Sequence, residues 1–107
     1  MKPLVFEGEA RSEYLDAVER YGAENPVAAA RFVELVEATI EGIHGAPHRW
    51  PLDPTVPARF GARRQRIEGF PYSVVYVETA GAIHVLAVSH GKREPGFWRS
   101  RMPTEPR

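Results

Sequence analysis

The run Arg59-Phe60-Gly61-Ala62-Arg63-Arg64-Gln65-Arg66 places four arginines in eight residues. Read as a strand, its period of two sets Arg64 and Arg66 side by side on one face, with Arg63 and Gln65 on the other. Guanidinium groups stay protonated and present planar forks, the shape that phosphate and carboxylate recognition needs. Lys92-Arg93 forms a second cationic pair, and Phe97-Trp98 lies between it and Arg99 and Arg101. Aromatic faces among cations suit base stacking or anchoring to a protein target, and equally the edge of a core. His90 stands beside Lys92-Arg93 at the end of an apolar run. An imidazole there suits acid–base work, or the orienting of a ligand by a hydrogen bond.

Other chemistry is disfavoured. His44 and His48 have the spacing of a helical metal pair, but Gly45 and Pro47 break the helix that such a pair requires. His84 and His90 fall on one face of a regular strand, six residues apart, which is too far for shared ligation. The absence of cysteine excludes a thiolate site, a disulfide framework and a Cys nucleophile. There is no Gly-rich phosphate loop and no Gly-x-Ser-x-Gly turn, and Ser12, Ser73, Ser89 and Ser100 have no triad context. Neither a metal nor a cofactor is expected.

These residues need a scaffold, and 107 residues with 43% apolar and 26% charged side chains predict a single domain over residues 1–107. A chain of this size buries roughly two thirds of its unfolded surface. No apolar run exceeds four residues, as in Val74 to Val77, far short of the ~20 that span a bilayer. The first residues lack the apolar stretch of a secretory signal, so a cytoplasmic location and no membrane partner are expected. Net charge is zero but divided: residues 1–58 carry 5 Lys/Arg against 10 Asp/Glu, and residues 59–107 carry 9 against 4. A basic half suggests an anionic partner, or else mutual neutralisation within one fold.

Lys2 to Phe6 reads as a short strand. Tyr14, Leu15, Val18 and Tyr21 recur at helical spacing up to a closing Gly22. Asn25-Pro26 caps a second helix whose stripe is Ala29, Phe32, Val33, Val36, Ile40 and Ile43. Gly45 to Pro57 holds four prolines and is a loop, pinned by Trp50. Period-two strands follow over Arg59–Glu68, Tyr72–Glu78 and Ala82–His90. Residues 99–107 are expected to be a polar tail. The expected class is α+β, in the order β-α-α-β-β-β, with a helical hairpin on one face of a twisted antiparallel sheet. Its other face is expected to carry the cations into solvent.

The segments Arg63-Arg64-x-x-Ile67-x-Gly69-Phe70-Pro71-Tyr72 and His90-x-Lys92-Arg93-x-Pro95-Gly96-Phe97-Trp98 resemble the RelE/ParE toxins of bacterial type II toxin–antitoxin systems. Phe6-x-x-x-Ala10-x-x-Glu13-Tyr14, Ala30-Arg31-Phe32-Val33 and Pro47-x-x-Trp50-Pro51 resemble the ParE-like branch. The resemblance implies the same fold and a cognate antitoxin that covers the toxin. It also implies one of two activities. RelE-like members cut messenger RNA on the ribosome, and ParE-like members poison DNA gyrase. Under the first activity, Arg64, Arg66 and Arg93 match catalytic positions, with His90 as a further candidate. Ser73, however, stands where the cleaving branch has an arginine, and Phe97-Trp98-Arg99 stands near its C-terminal tyrosine. Phosphoryl transfer without those groups loses most of its transition-state stabilisation. A ParE-like gyrase inhibitor is therefore expected, binding its target through Lys92, Arg93, Phe97 and Trp98. The alternatives are a ribosome-dependent endoribonuclease and an inactive antitoxin binder.

Overall fold

The apolar stripes of the first half fold as helices in the computed structural model, which describes residues 1–103. Helix α1 spans Gly8–Glu24 and α2 spans Pro26–Gly45. A single residue joins them. Asn25 is extended, and its Oδ1 accepts hydrogen bonds from the backbone of Val27 (3.1 Å) and Ala28 (3.2 Å), capping α2. Gly22 does not close α1; it stays helical, where an added Cβ would lie 3.9 Å from the Ala29 side chain.

Four strands form one sheet: β1 (Leu4–Val5), β2 (Arg63–Arg66), β3 (Tyr72–Glu78) and β4 (Ile83–His90), in the order β1-β4-β3-β2. The expected meander of β2, β3 and β4 is antiparallel. β1 joins β4 in parallel, because the helical hairpin carries the chain across the sheet before the meander begins. The strand expected from Arg59 is shortened. Ala58–Phe60 forms a 3-10 turn, and Gly61 then reverses the chain at φ 67°.

The sheet is covered on both faces. Tyr14, Phe32, Val36 and Ile43 of the helices pack on Tyr72, Val74, Tyr76 and Val88. On the far face Val75, Val77, Leu86 and Ala87 pack against Ala62 and Trp98. That face does not carry its centre into solvent, and residues 99–101 of the expected polar tail belong to a helical turn. Gly96, at φ 74°, starts a 3-10 helix over Phe97–Arg101 that lays Trp98 on the sheet. Residues 104–107 of the expected tail lie outside the described residues.

A bulge in β4 corrects another expectation. Val75 pairs with Ala87 and Tyr76 with Val85, so Leu86 is the extra residue. One extra residue inverts the facing of everything beyond it. His84 therefore lies opposite Val77 of the far face, while His90 lies opposite Tyr72 beneath the helices. They do not share a face.

Candidate functional site

β2 presents its arginines unequally. Arg64 pairs with Val75 and Arg66 with Ser73, which puts both on the far face of the sheet. Arg64 reaches back across the proline-rich loop to Asp53, Nη1 to Oδ2 at 3.0 Å. Asp53 is 2% exposed, and its Oδ1 accepts from the Thr55 hydroxyl (2.6 Å) and backbone N–H (2.9 Å). Burial pushes the Asp53 carboxyl up, but the Thr55 and Arg64 hydrogen bonds outweigh it and hold the group below its ordinary value. Arg63 donates to the Trp50 carbonyl at 2.6 Å on the helix side. Arg66 is exposed and makes no ion pair among the described residues.

After β4, Arg93 lies 3.8 Å from the Phe97 ring centroid, with Nη1 3.8 Å from the Glu13 carboxylate. Arg64 and Arg93 line one small pocket of about 120 Å³ with Ser89 and Phe97. Phe97 is half-buried. Trp98 is 1% exposed, so the indole expected to anchor a target is instead the centre of the second core. Its neighbours on the sheet are apolar, and burial of so large a ring is the stronger drive. Lys92 is exposed.

Glu13 of α1 carries no local sequence signal of a site residue. Its carboxylate takes both arms of the Arg101 guanidinium at 2.9 Å and accepts the Val88 N–H at 3.1 Å. Arg101 also donates to the Leu86 carbonyl at 3.0 Å. β1 is two residues long and leaves these groups of β4 unpaired, so one ion pair covers the edge that a longer strand would cover. Asp53, Tyr72, Arg20 and Arg101 likewise carry no sequence signal of their partners. An Asp-x-Thr sequence inside a proline-rich loop is a local signal for a capped turn, but nothing local announces Arg64 as its partner.

Beneath α1, at the end of the sheet, a cleft of about 510 Å³ is lined by Arg20, Tyr72, His90, Lys92 and Arg93 together with Glu13 and Asp16. The Tyr72 and His90 rings meet edge to face at 5.1 Å. His44 and His48 serve elsewhere: His44 Nε2 lies 2.7 Å from the Lys2 carbonyl, and His48 Nε2 lies 2.6 Å from Glu78.

The model of the ParE toxin of the type II toxin–antitoxin system parDE matches residues 4–95. The chain belongs to the ParE toxin family. The match runs from β1 to Pro95 and stops before the 3-10 helix that carries Trp98. A solved chain described as the chromosomal ParDE toxin–antitoxin system from P. aeruginosa shares the fold with a TM-score of 0.70. The alignment covers 84% of this ParE family member and 96% of that chain, at 18% identity. No curated protein matches the chain in sequence.

Proposed function

We propose that this ParE family member is the toxin of a type II pair, acting as a non-enzymatic inhibitor of DNA gyrase and neutralised by a cognate antitoxin. The observation that carries the reading is the Arg64–Asp53 pair. Under RNA cleavage Arg64 would have to stabilise a pentavalent phosphate, and here a buried carboxylate already holds it. Arg93 is stacked on Phe97, and Ser73 is buried where a further arginine would be needed. The exposed cations that remain, Arg66 and Lys92, together with the outer part of Arg93 beside Phe97, suit binding to an acidic surface. A recess between β1 and the helices has an apolar floor of Leu4, Phe6, Tyr14 and Ile40 and charged walls of Arg11, Glu37 and Glu41, and that floor suits the apolar side chains of an antitoxin.

Expression without a partner tests the reading. Filamentation with a DNA-damage response, and loss of supercoiling by purified gyrase, is the expected outcome. A rapid halt of translation with cut messages would reject it in favour of ribosome-dependent mRNA cleavage by Arg64, Arg66 and Arg93.

A further inference from the structure

We propose that the cleft between α1 and the Tyr72–His90 end of the sheet is a receptor for one carboxylate, carried by an Asp or Glu side chain of a polypeptide partner. This rests on the toxin–antitoxin reading, under which that partner is the antitoxin. The cleft lies on the helix face of the sheet, away from Arg64 and Arg66.

Two donors in the cleft lack acceptors. Tyr72 is 5% exposed, and its hydroxyl oxygen accepts a hydrogen bond from Arg20 Nη2 at 2.9 Å. An oxygen that accepts from a guanidinium must place its own proton elsewhere, and no described residue takes it. His90 Nδ1 lies 3.0 Å from the Lys92 backbone nitrogen. A backbone N–H can only donate, so Nδ1 accepts and the proton of the neutral ring sits on Nε2. Nε2 has no partner among the described residues either. Tyr72 is buried and His90 half-buried, and two donors that share one cleft wall, with neither proton taken by a described residue, suit an anion that enters between them. Arg20 adds charge directly behind the phenol, and Lys92 and Arg93 stand at the rim.

The acidic side chains of the cleft set the size of that charge. Glu13 is matched by Arg101 through two 2.9 Å bonds, but Asp16 on the next turn of α1 is exposed. A phosphate monoester, at about −1.5 to −2, would face Asp16 with its excess charge. A carboxylate carries a single charge and accepts from several donors at once. The site fits the carboxylate.

The test titrates the full chain with N-acetyl-glutamate amide and follows the Tyr72 and His90 ring signals by NMR at constant ionic strength. N-acetyl-glutamine amide and inorganic phosphate are run beside it. Saturable shifts with the glutamate compound, absent with the glutamine compound and weaker with phosphate, are expected. Arg20→Gln and Tyr72→Phe should each weaken binding by about tenfold, the usual loss with a charge-assisted bond. Arg20 is exposed, so its variant should retain the parental melting temperature. Equal shifts with both amides, tighter binding of phosphate, or unchanged affinity in Arg20→Gln would each overturn the proposal. The titration needs neither gyrase nor antitoxin, so its failure is distinguishable from failure of the growth assay.

Discussion

Trp98 and Phe97 are neighbours with opposite surroundings. The Trp98 indole is buried at 1% exposure, whereas Phe97 is half-buried and faces the guanidinium groups of Arg93 and Arg101. Trp98→Ala should cost about 3–5 kcal/mol, the usual loss for a large aromatic removed from a core. A melting temperature lower by more than about 10 °C checks it. Phe97→Ala should be milder, and any loss of toxicity in that variant then reports on target binding. Asp53 carries a different prediction. Its carboxyl is held below the ordinary 3.8, so its contribution is fully present above pH 3.8 and fades as the pH falls through the lowered folded value. Asp53→Asn should cost about 3 kcal/mol at neutral pH, because Arg64 loses a buried partner. Urea titrations should show the gap between parent and variant narrowing below pH 3.8.

Among the elements, the loop between α2 and β2 depends most on side-chain ties. Its backbone runs beside β2, with Asp53 N–H bonded to the Ala62 carbonyl at 2.8 Å and Arg64 N–H to the Pro51 carbonyl at 3.2 Å. These bonds cover part of the β2 edge, as Glu13 and Arg101 cover part of the β4 edge. Tyr76 holds the start of the loop, its hydroxyl donating to the Pro47 carbonyl at 2.7 Å. Burial pushes the Tyr76 phenol from 10.0 up to about 12. A raised folded pKa gives stability that is complete below pH 10 and is lost as the pH rises towards about 12. Tyr76→Phe should lose about 1 kcal/mol at pH 7 with that hydrogen bond. Its deficit relative to the parent should shrink between pH 10 and 12 in denaturant titrations. Gly96 shows why the last 3-10 helix sits where it does. A Cβ there would meet the Val56 side chain at 3.1 Å and Arg99 Nε at 3.2 Å, at a φ of 74° that other residues rarely adopt.

For the whole molecule, the divided charge is partly settled internally. Lys2–Glu78, Arg64–Asp53, Arg93–Glu13 and Arg101–Glu13 all join the acidic half to the basic half. Arg66 and Lys92 remain exposed on the sheet side, while Arg31 stands on the outside of α2. Charges of this kind govern the rate of encounter more than the lifetime of a complex. Association with an acidic antitoxin should therefore slow as salt rises, and Lys92→Glu at the rim of the cleft should lower the on-rate about tenfold with little change in off-rate. Arg31→Glu should leave the on-rate near the parental value. Stopped-flow mixing at two ionic strengths checks all three, and a salt-independent on-rate would exclude the basic face from the interface.

The order of elements and the buried face of α2 were legible in the sequence, because periodicities of 3.6 and 2 are local properties; on α1 the expected Leu15 is exposed, and Ala10 and Ala17 are buried beside Tyr14. Asn25-Pro26 marked the start of α2, and Tyr72–Glu78 was found with its bounds intact. Val74, Val75, Tyr76 and Val77 are all buried, and an apolar run without alternation is the mark of a strand covered on both sides. That signal was present, and the layer it demanded came from Trp98 more than twenty residues away. Tertiary structure alone decided the rest. A one-residue bulge at Leu86 separated His84 from His90, and no composition or spacing announces such an insertion. Arg64 and Arg66 look identical in the strand pattern, yet one is held by Asp53 and the other is exposed. The distinction comes from a contact that folding the proline-rich loop back along β2 creates, and that contact decides which cations remain for a partner.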